Sequence, residues 1–216
     1  LGDVYKRQGL GCMGFSHAYG LAEDKERAIQ TIKQAYKMGY NFFDTAECYT
    51  GENTDGTISY NEELVGEALK EVREQVVIAT KFGVEHKGDH LELDSSPEKI
   101  YASIEGSLKK LQTDYIDLYY QHRIDPKVEP EVVAGVMKEL ITAGKIKAWG
   151  ISETTEEYLR RAHAVCPVTA IQNRYSMMAR WYEDLFVVCK ELGITYVAFS
   201  PMANGLLSGK FTPDST

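Results

Sequence analysis

The sequence predicts an α/β fold of repeated β-α units, read as a (β/α)8 (TIM) barrel that is incomplete, with strand 8 and the C-terminal segment missing. Three observations predict it. Apolar runs alternate with helical stripes at about one unit per 30 residues, which demands a parallel sheet with right-handed crossovers. Val76-Val77-Ile78-Ala79 is continuously apolar, as parallel strands covered on both faces are. Polar residues close the apolar runs, at the strand ends where this architecture keeps its chemistry. A doubly wound open sheet also satisfies the alternation. A whole barrel takes about 250 residues; here there are 216, with seven strand candidates.

The elements follow in order. Residues 10–15 form a short first strand. Residues 24–38 form a helix with Ala28, Ile32, Ala35 and Tyr36 on one face, stopped by Gly39. Residues 40–44 are the second strand, 61–72 a helix with Leu64, Val65, Ala68 and Leu69 on its stripe, and 76–81 the third strand. Ser96 then Pro97 reads as an N-cap and first-turn proline, ahead of a stripe of Ile100, Ile104, Leu108 and Leu111. The fourth strand is 115–122, followed by a helix over 131–143 that ends at Gly144, and the fifth strand is 146–152. Thr154 with Glu157 has capping-box spacing and opens a helix through Ala164. The sixth strand is 168–173, a helix over 181–192 stops at Gly193, and the seventh strand is 194–200. No linker-like stretch interrupts the series, so residues 9–216 form one domain. Residues 1–8 do not continue the pattern and read as a non-native scar.

Composition narrows the function. Acidic side chains outnumber basic ones 32 to 24, a net charge of -8, which suits no nonspecific nucleic-acid partner. No stretch reaches the roughly 18 apolar residues of a membrane span. The four cysteines are widely spaced, which points to a reducing compartment, and with no signal or anchor pattern in the sequence a cytoplasmic protein is expected.

The polar strand ends carry the chemistry. Asp44, Lys81 and His122 end three successive strands, and Ser152, Gln172-Asn173 and Ser200 end the next three. Singly, these residues read as a cap, a snorkelling lysine and a satisfied core histidine. Together they converge on one barrel mouth. Tyr49 lies five residues past Asp44, within reach of that mouth. A buried lysine beside it favours the phenolate, and an aspartate holds that lysine charged and in place. With a histidine orienting a carbonyl, the set suits proton donation by tyrosine as hydride arrives at carbon.

Asn41-Phe42-Phe43-Asp44-Thr45-Ala46-Glu47-Cys48-Tyr49 resembles the signature of the aldo-keto reductases around their catalytic aspartate and tyrosine. Val77-Ile78-Ala79-Thr80-Lys81-Phe82-Gly83 and Tyr115-Ile116-Asp117-Leu118-Tyr119-Tyr120-Gln121-His122 look like the family's lysine and histidine strands. The likeness continues through Gly144-Lys145-Ile146-Lys147-Ala148-Trp149-Gly150-Ile151-Ser152, Ile171-Gln172-Asn173-Arg174-Tyr175-Ser176 and Ala198-Phe199-Ser200-Pro201. The resemblance implies an NADP(H)-dependent reductase of small carbonyl substrates. By matching position it implies Tyr49 as proton donor, Lys81 and Asp44 as its tuning pair, and His122 as carbonyl-orienting. It implies Ser152 and Gln172 at the nicotinamide carboxamide, and Phe199 stacked on the ring. Ser200, Met202, Gly205 and Leu207 would lie along the pyrophosphate, with Gly11 and Met13 near the cofactor. Glu153 stands where many relatives have asparagine, which puts the second carboxamide contact in question. The family's basic grip on the 2′-phosphate lies past the last residues of this sequence, so weak cofactor binding and little or no activity are expected of the chain as written.

The sequence holds three further patterns and leaves one alternative function. Gly9-Leu10-Gly11-Cys12-Met13-Gly14 matches GxGxxG, but no helix opens on it, so a turn is expected there instead of a dinucleotide fold. His86 and His90 have a metal-ligand spacing, but Gly88 interrupts, so a solvated loop and no metal are expected. His17 and His163 receive no role. The polar loop over residues 50–60, with Glu52 and Asp55, is expected to disfavour anionic substrates. The alternative to an enzyme is a cofactor-binding regulatory module resembling the beta subunits of potassium channels.

Overall fold

The computed structural model describes residues 8–212 apart from Asp89. Residues 1–7 of the expected scar lie outside the described residues. The main sheet has seven strands: β1 (Leu10–Gly11), β2 (Phe42–Asp44), β3 (Val77–Phe82), β4 (Ile116–Gln121), β5 (Ile146–Ser152), β6 (Ala170–Arg174) and β7 (Thr195–Phe199). They lie side by side in chain order, every pair parallel. A doubly wound sheet reverses its order at a switch point; this one does not. The sheet curls into a partial (β/α)8 barrel, with β1 and β7 at its edges.

Among the described residues six α-helices cover the outside: α1 (Lys25–Lys37), α2 (Asn61–Leu69), α3 (Pro97–Leu111), α4 (Pro130–Thr142), α5 (Glu156–Val165) and α6 (Leu185–Leu192). Their ends follow local chemistry. Asp24 caps α1 by accepting from the Arg27 N–H at 3.0 Å, and Ser96 caps α3 with Pro97 in its first turn. Four expectations are corrected. The first strand stops at Gly11, and Met13–Phe15 forms a 3-10 turn. The second helix ends at Leu69 and tightens into a 3-10 stretch, Lys70–Gln75. Thr155, not Thr154, caps α5, its hydroxyl accepting from the Tyr158 N–H. The helix expected from residue 181 begins at Leu185, after a run of turns.

Strand side chains alternate between two layers. Ala79, Leu118, Tyr120 and Ala170 meet inside the barrel. Ile78, Tyr119, Trp149 and Ile151 face outward into the larger core beneath the helices. Tyr119, Trp149, Ile78 and Ile151 are fully buried, and burial of such a side chain contributes roughly 1.5–3 kcal/mol.

Two antiparallel hairpins follow β2 and β3 at their carboxyl ends. Thr50–Glu52 pairs with Ile58–Tyr60, and Val84–Lys87 pairs with His90–Leu93. The stretches expected as loops thus contain paired strands, and His86 and Leu91 of the second hairpin line the cavity described below. No described helix is long and apolar enough to cross a membrane.

Candidate functional site

Parallel register sets the site's foundation. Asp44 is level with Ala79, and Lys81 stands two residues further on, on the same inward face of β3. Its Nζ reaches Asp44 Oδ1 at 2.5 Å, the Thr45 carbonyl at 2.7 Å and Tyr49 Oη at 3.3 Å. The Lys81 side chain has no exposed surface. A buried cation persists only when paired, and these three oxygens satisfy its three protons.

Tyr49 is held from behind. Its carbonyl accepts from Ser16 Oγ at 3.1 Å and from the Asn61 N–H at 3.0 Å. Asn61 is buried and accepts from Thr45 Oγ1 while donating to the Cys12 carbonyl and Ser16 Oγ. This hub ties the β1 turn, the β2 end and the α2 start together. It was missed in the sequence because an asparagine opening a helix reads as a local cap.

His122 directly follows β4 and is anchored by its N–H to the Phe82 carbonyl at 3.0 Å. Its ring meets the Tyr49 ring edge-on, with centroids 5.6 Å apart and planes at 84°. Cys48 Sγ lies 3.4 Å from His122 Nδ1.

Protonation follows from burial and charge. Burial raises the Tyr49 pKa and the Lys81 charge lowers it, with a net rise above the ordinary tyrosine range. Lys81 thus favours the phenolate, as expected, but burial outweighs it and Tyr49 holds its proton. Burial opposes the Lys81 charge, but Asp44 and then Tyr49 outweigh it and hold the ammonium above its usual range. Burial first, then the charges of Lys81 and Arg123, drive His122 well below the usual histidine range, so its ring is neutral.

A cavity of about 640 Å³ opens above this group. Asp44, Tyr49 and His122 line it, and so do Gly11, Met13, Ser152, Gln172, Phe199 and Ser200. Lys81 lies behind that wall, in contact with Asp44 and Tyr49. Ser152 Oγ donates to the Gln172 carbonyl at 2.9 Å, and Gln172 Nε2 donates to Asp44 Oδ2 at 2.8 Å. Met202, Gly205 and Leu207 are not on the wall; they belong to the turn after β7, from which Asn204 reaches the cavity instead. Ser200, Ala203 and Asn204 there all have positive φ. Glu153, also at positive φ, pairs with Arg123 at 3.3 Å.

Long-range folding brings in residues that sequence reading passed over. His17 Nδ1 donates to the Thr50 carbonyl at 2.9 Å, and its ring stacks on Tyr49 at 5.7 Å. His86, on the second hairpin, comes within 4.7 Å of His17, ring to ring. Arg123 and Arg174 line the cavity, whereas Glu52 and Asp55 do not; Asp55 is spent on Thr57 of its own hairpin. The acidic screen expected from residues 50–60 is therefore absent from the cavity wall. Among the described residues no group of three or more His, Cys, Asp or Glu could hold a metal.

A relative from Glycine max, named probable aldo-keto reductase 1, is 43% identical over 212 residues, covering 97% of this chain and 59% of its own. An aldo-keto reductase of Bacillus halodurans, solved in its holo form, matches with TM-score 0.82 at 30% identity over 96% of this chain and 66% of its own. A glycerol dehydrogenase of Gluconobacter oxydans matches with TM-score 0.84 at 29% identity over 96% and 63%. An aldo/keto reductase of Klebsiella pneumoniae, solved with NADP and acetate, matches with TM-score 0.74 at 27% identity over 96% and 68%. The chain spans about three fifths of the length of the Glycine max relative. The sequence model of the Aldo/keto reductase family matches residues 8–216, and the chain belongs to that family.

Proposed function

We propose that the whole protein reduces aldehydes and ketones to alcohols with NADPH, and that Tyr49 delivers the proton. One observation carries the reading: Lys81 Nζ touches both Asp44 Oδ1 and Tyr49 Oη, while Tyr49 lines the cavity. Tyr49 Oη gives its proton to the carbonyl oxygen. The Lys81 cation then stabilises the phenolate left behind, and Asp44 keeps that cation charged and in place. Neutral His122 holds the carbonyl oxygen as a hydrogen-bond donor.

The wall fits a nicotinamide dinucleotide. Arg123 and Arg174 bring positive charge, and Phe199 offers a ring face. A methyl group built on Gly11 meets nothing within 4 Å, so that part of the wall has room. Ser152 and Gln172 would hold the carboxamide, Gly11 and Met13 would border the cofactor, and Ser200, Met202, Gly205 and Leu207 would follow its phosphates. When bound, the cofactor supplies hydride to the carbonyl carbon. The NADP of the Klebsiella neighbour supports NADP over other cofactors. The four cysteines are free thiols, which suits a reducing cytoplasm.

The test is NADPH oxidation at 340 nm by the whole protein with a panel of small aldehydes, with NADH in parallel. Steady turnover with NADPH is expected. Tight NADPH binding with almost no turnover of any carbonyl would overturn the proposal.

A further inference from the structure

We infer that Cys48 is a positioning residue that sets which nitrogen of His122 carries the proton. The inference builds on the reading of His122 as a carbonyl-orienting donor. A neutral imidazole has one N–H and one acceptor nitrogen, and its neighbours decide which is which. Cys48 Sγ lies 3.4 Å from His122 Nδ1, and no other hydrogen-bond partner reaches that nitrogen among the described residues. Cys48 itself is buried, 8% exposed, in the turn between β2 and Tyr49.

The direction of this hydrogen bond follows from what each group can do. Burial pushes the Cys48 thiol up to about 12, so its sulfur keeps its proton at neutral pH. A thiol is a weak donor and its sulfur a weaker acceptor, whereas an imidazole lone pair is a good acceptor. The S–H therefore donates to Nδ1. That leaves the proton of the neutral ring on Nε2, the nitrogen free to serve the cavity that His122 lines. Without Cys48 the two tautomers compete, and part of the population offers a carbonyl oxygen a lone pair where it needs a donor. The backbone anchor of His122 and its edge-on contact with Tyr49 fix where the ring sits; neither one chooses the proton's place on it.

The first readout needs no activity. In whole protein with 15N-labelled histidine, the unprotonated ring nitrogen resonates far downfield of the protonated one. The His122 signals are identified by their loss in His122→Gln. Wild type is expected to show Nδ1 unprotonated and Nε2 protonated. Cys48→Ala is expected to move both signals toward a tautomer average, and Cys48→Ser, which keeps an O–H donor, to stay near wild type. A protonated Nδ1 in wild type, or an unchanged tautomer in Cys48→Ala, would overturn the inference.

The second readout is kinetic. Losing one neutral hydrogen bond of this kind lowers kcat/KM by roughly three- to tenfold. The loss is expected in kcat, with NADPH affinity unchanged and most of it recovered in Cys48→Ser. The expected tautomer in a protein that turns over no carbonyl would refute the proposed reductase and leave the role of Cys48 in place. Equal losses in the alanine and serine variants, with no tautomer change, would reduce Cys48 to a packing residue.

Discussion

Tyr49 and Asp44 both touch Lys81, yet they fail differently when altered. Tyr49→Phe removes the proton and one of the three acceptors of Lys81, while the ring keeps its place beside His17 and His122. General acid catalysis is worth about 10²–10⁴-fold. Turnover is therefore expected to fall by at least about a hundredfold while NADPH affinity, read by fluorescence titration, stays near wild type. Asp44→Asn instead strands a fully buried ammonium. Breaking a buried pair from one side costs roughly 3–5 kcal/mol, and a urea unfolding curve should register most of it. His122 adds a pH dependence. Its folded pKa is depressed, so below the unfolded value of about 6.5 the unfolded chain binds a proton that the native chain refuses. Stability should therefore fall as pH drops through that region, and His122→Gln should flatten the slope of the denaturation midpoint against pH.

At the scale of elements, two surfaces decide what was legible. The strand ends could be read directly, because parallel strands write their buried faces as apolar runs and leave polar outliers only where the run meets the mouth. Asp44, Lys81 and His122 are such outliers. The hairpins could not. His17 and His86 are 69 positions apart in number and sit in short polar segments without periodicity; only the folding of the second hairpin over the β1 turn joins their rings. The same blindness applies where one element presses on another. Gly66 lies inside α2, where propensity alone favours alanine by about 1 kcal/mol. A methyl group there would stand 2.7 Å from the Leu111 backbone at the end of α3. Gly66→Ala is expected to lower the denaturant midpoint, the reverse of the propensity argument.

Charge is unevenly shared over the whole molecule. The chain carries a net charge of -8, yet Arg174 faces the cavity, where Asp44 is balanced by Lys81 and Arg123 by Glu153. A cleft of opposite sign to its surroundings focuses field on what enters it. A carboxylated aldehyde is therefore expected to be turned over at least as well as its neutral analogue, by comparison of kcat/KM at low ionic strength. The bond from Gln172 Nε2 to Asp44 Oδ2 joins residues 128 positions apart. During synthesis on a ribosome the chain emerges from its first residue onward. Asp44, Tyr49 and Lys81 leave the exit tunnel long before Gln172, so the nascent chain can form the charged pair but must wait for β6 to clamp it. A site that closes with one of its last strands gives a half-made chain no working chemistry to release into the cell.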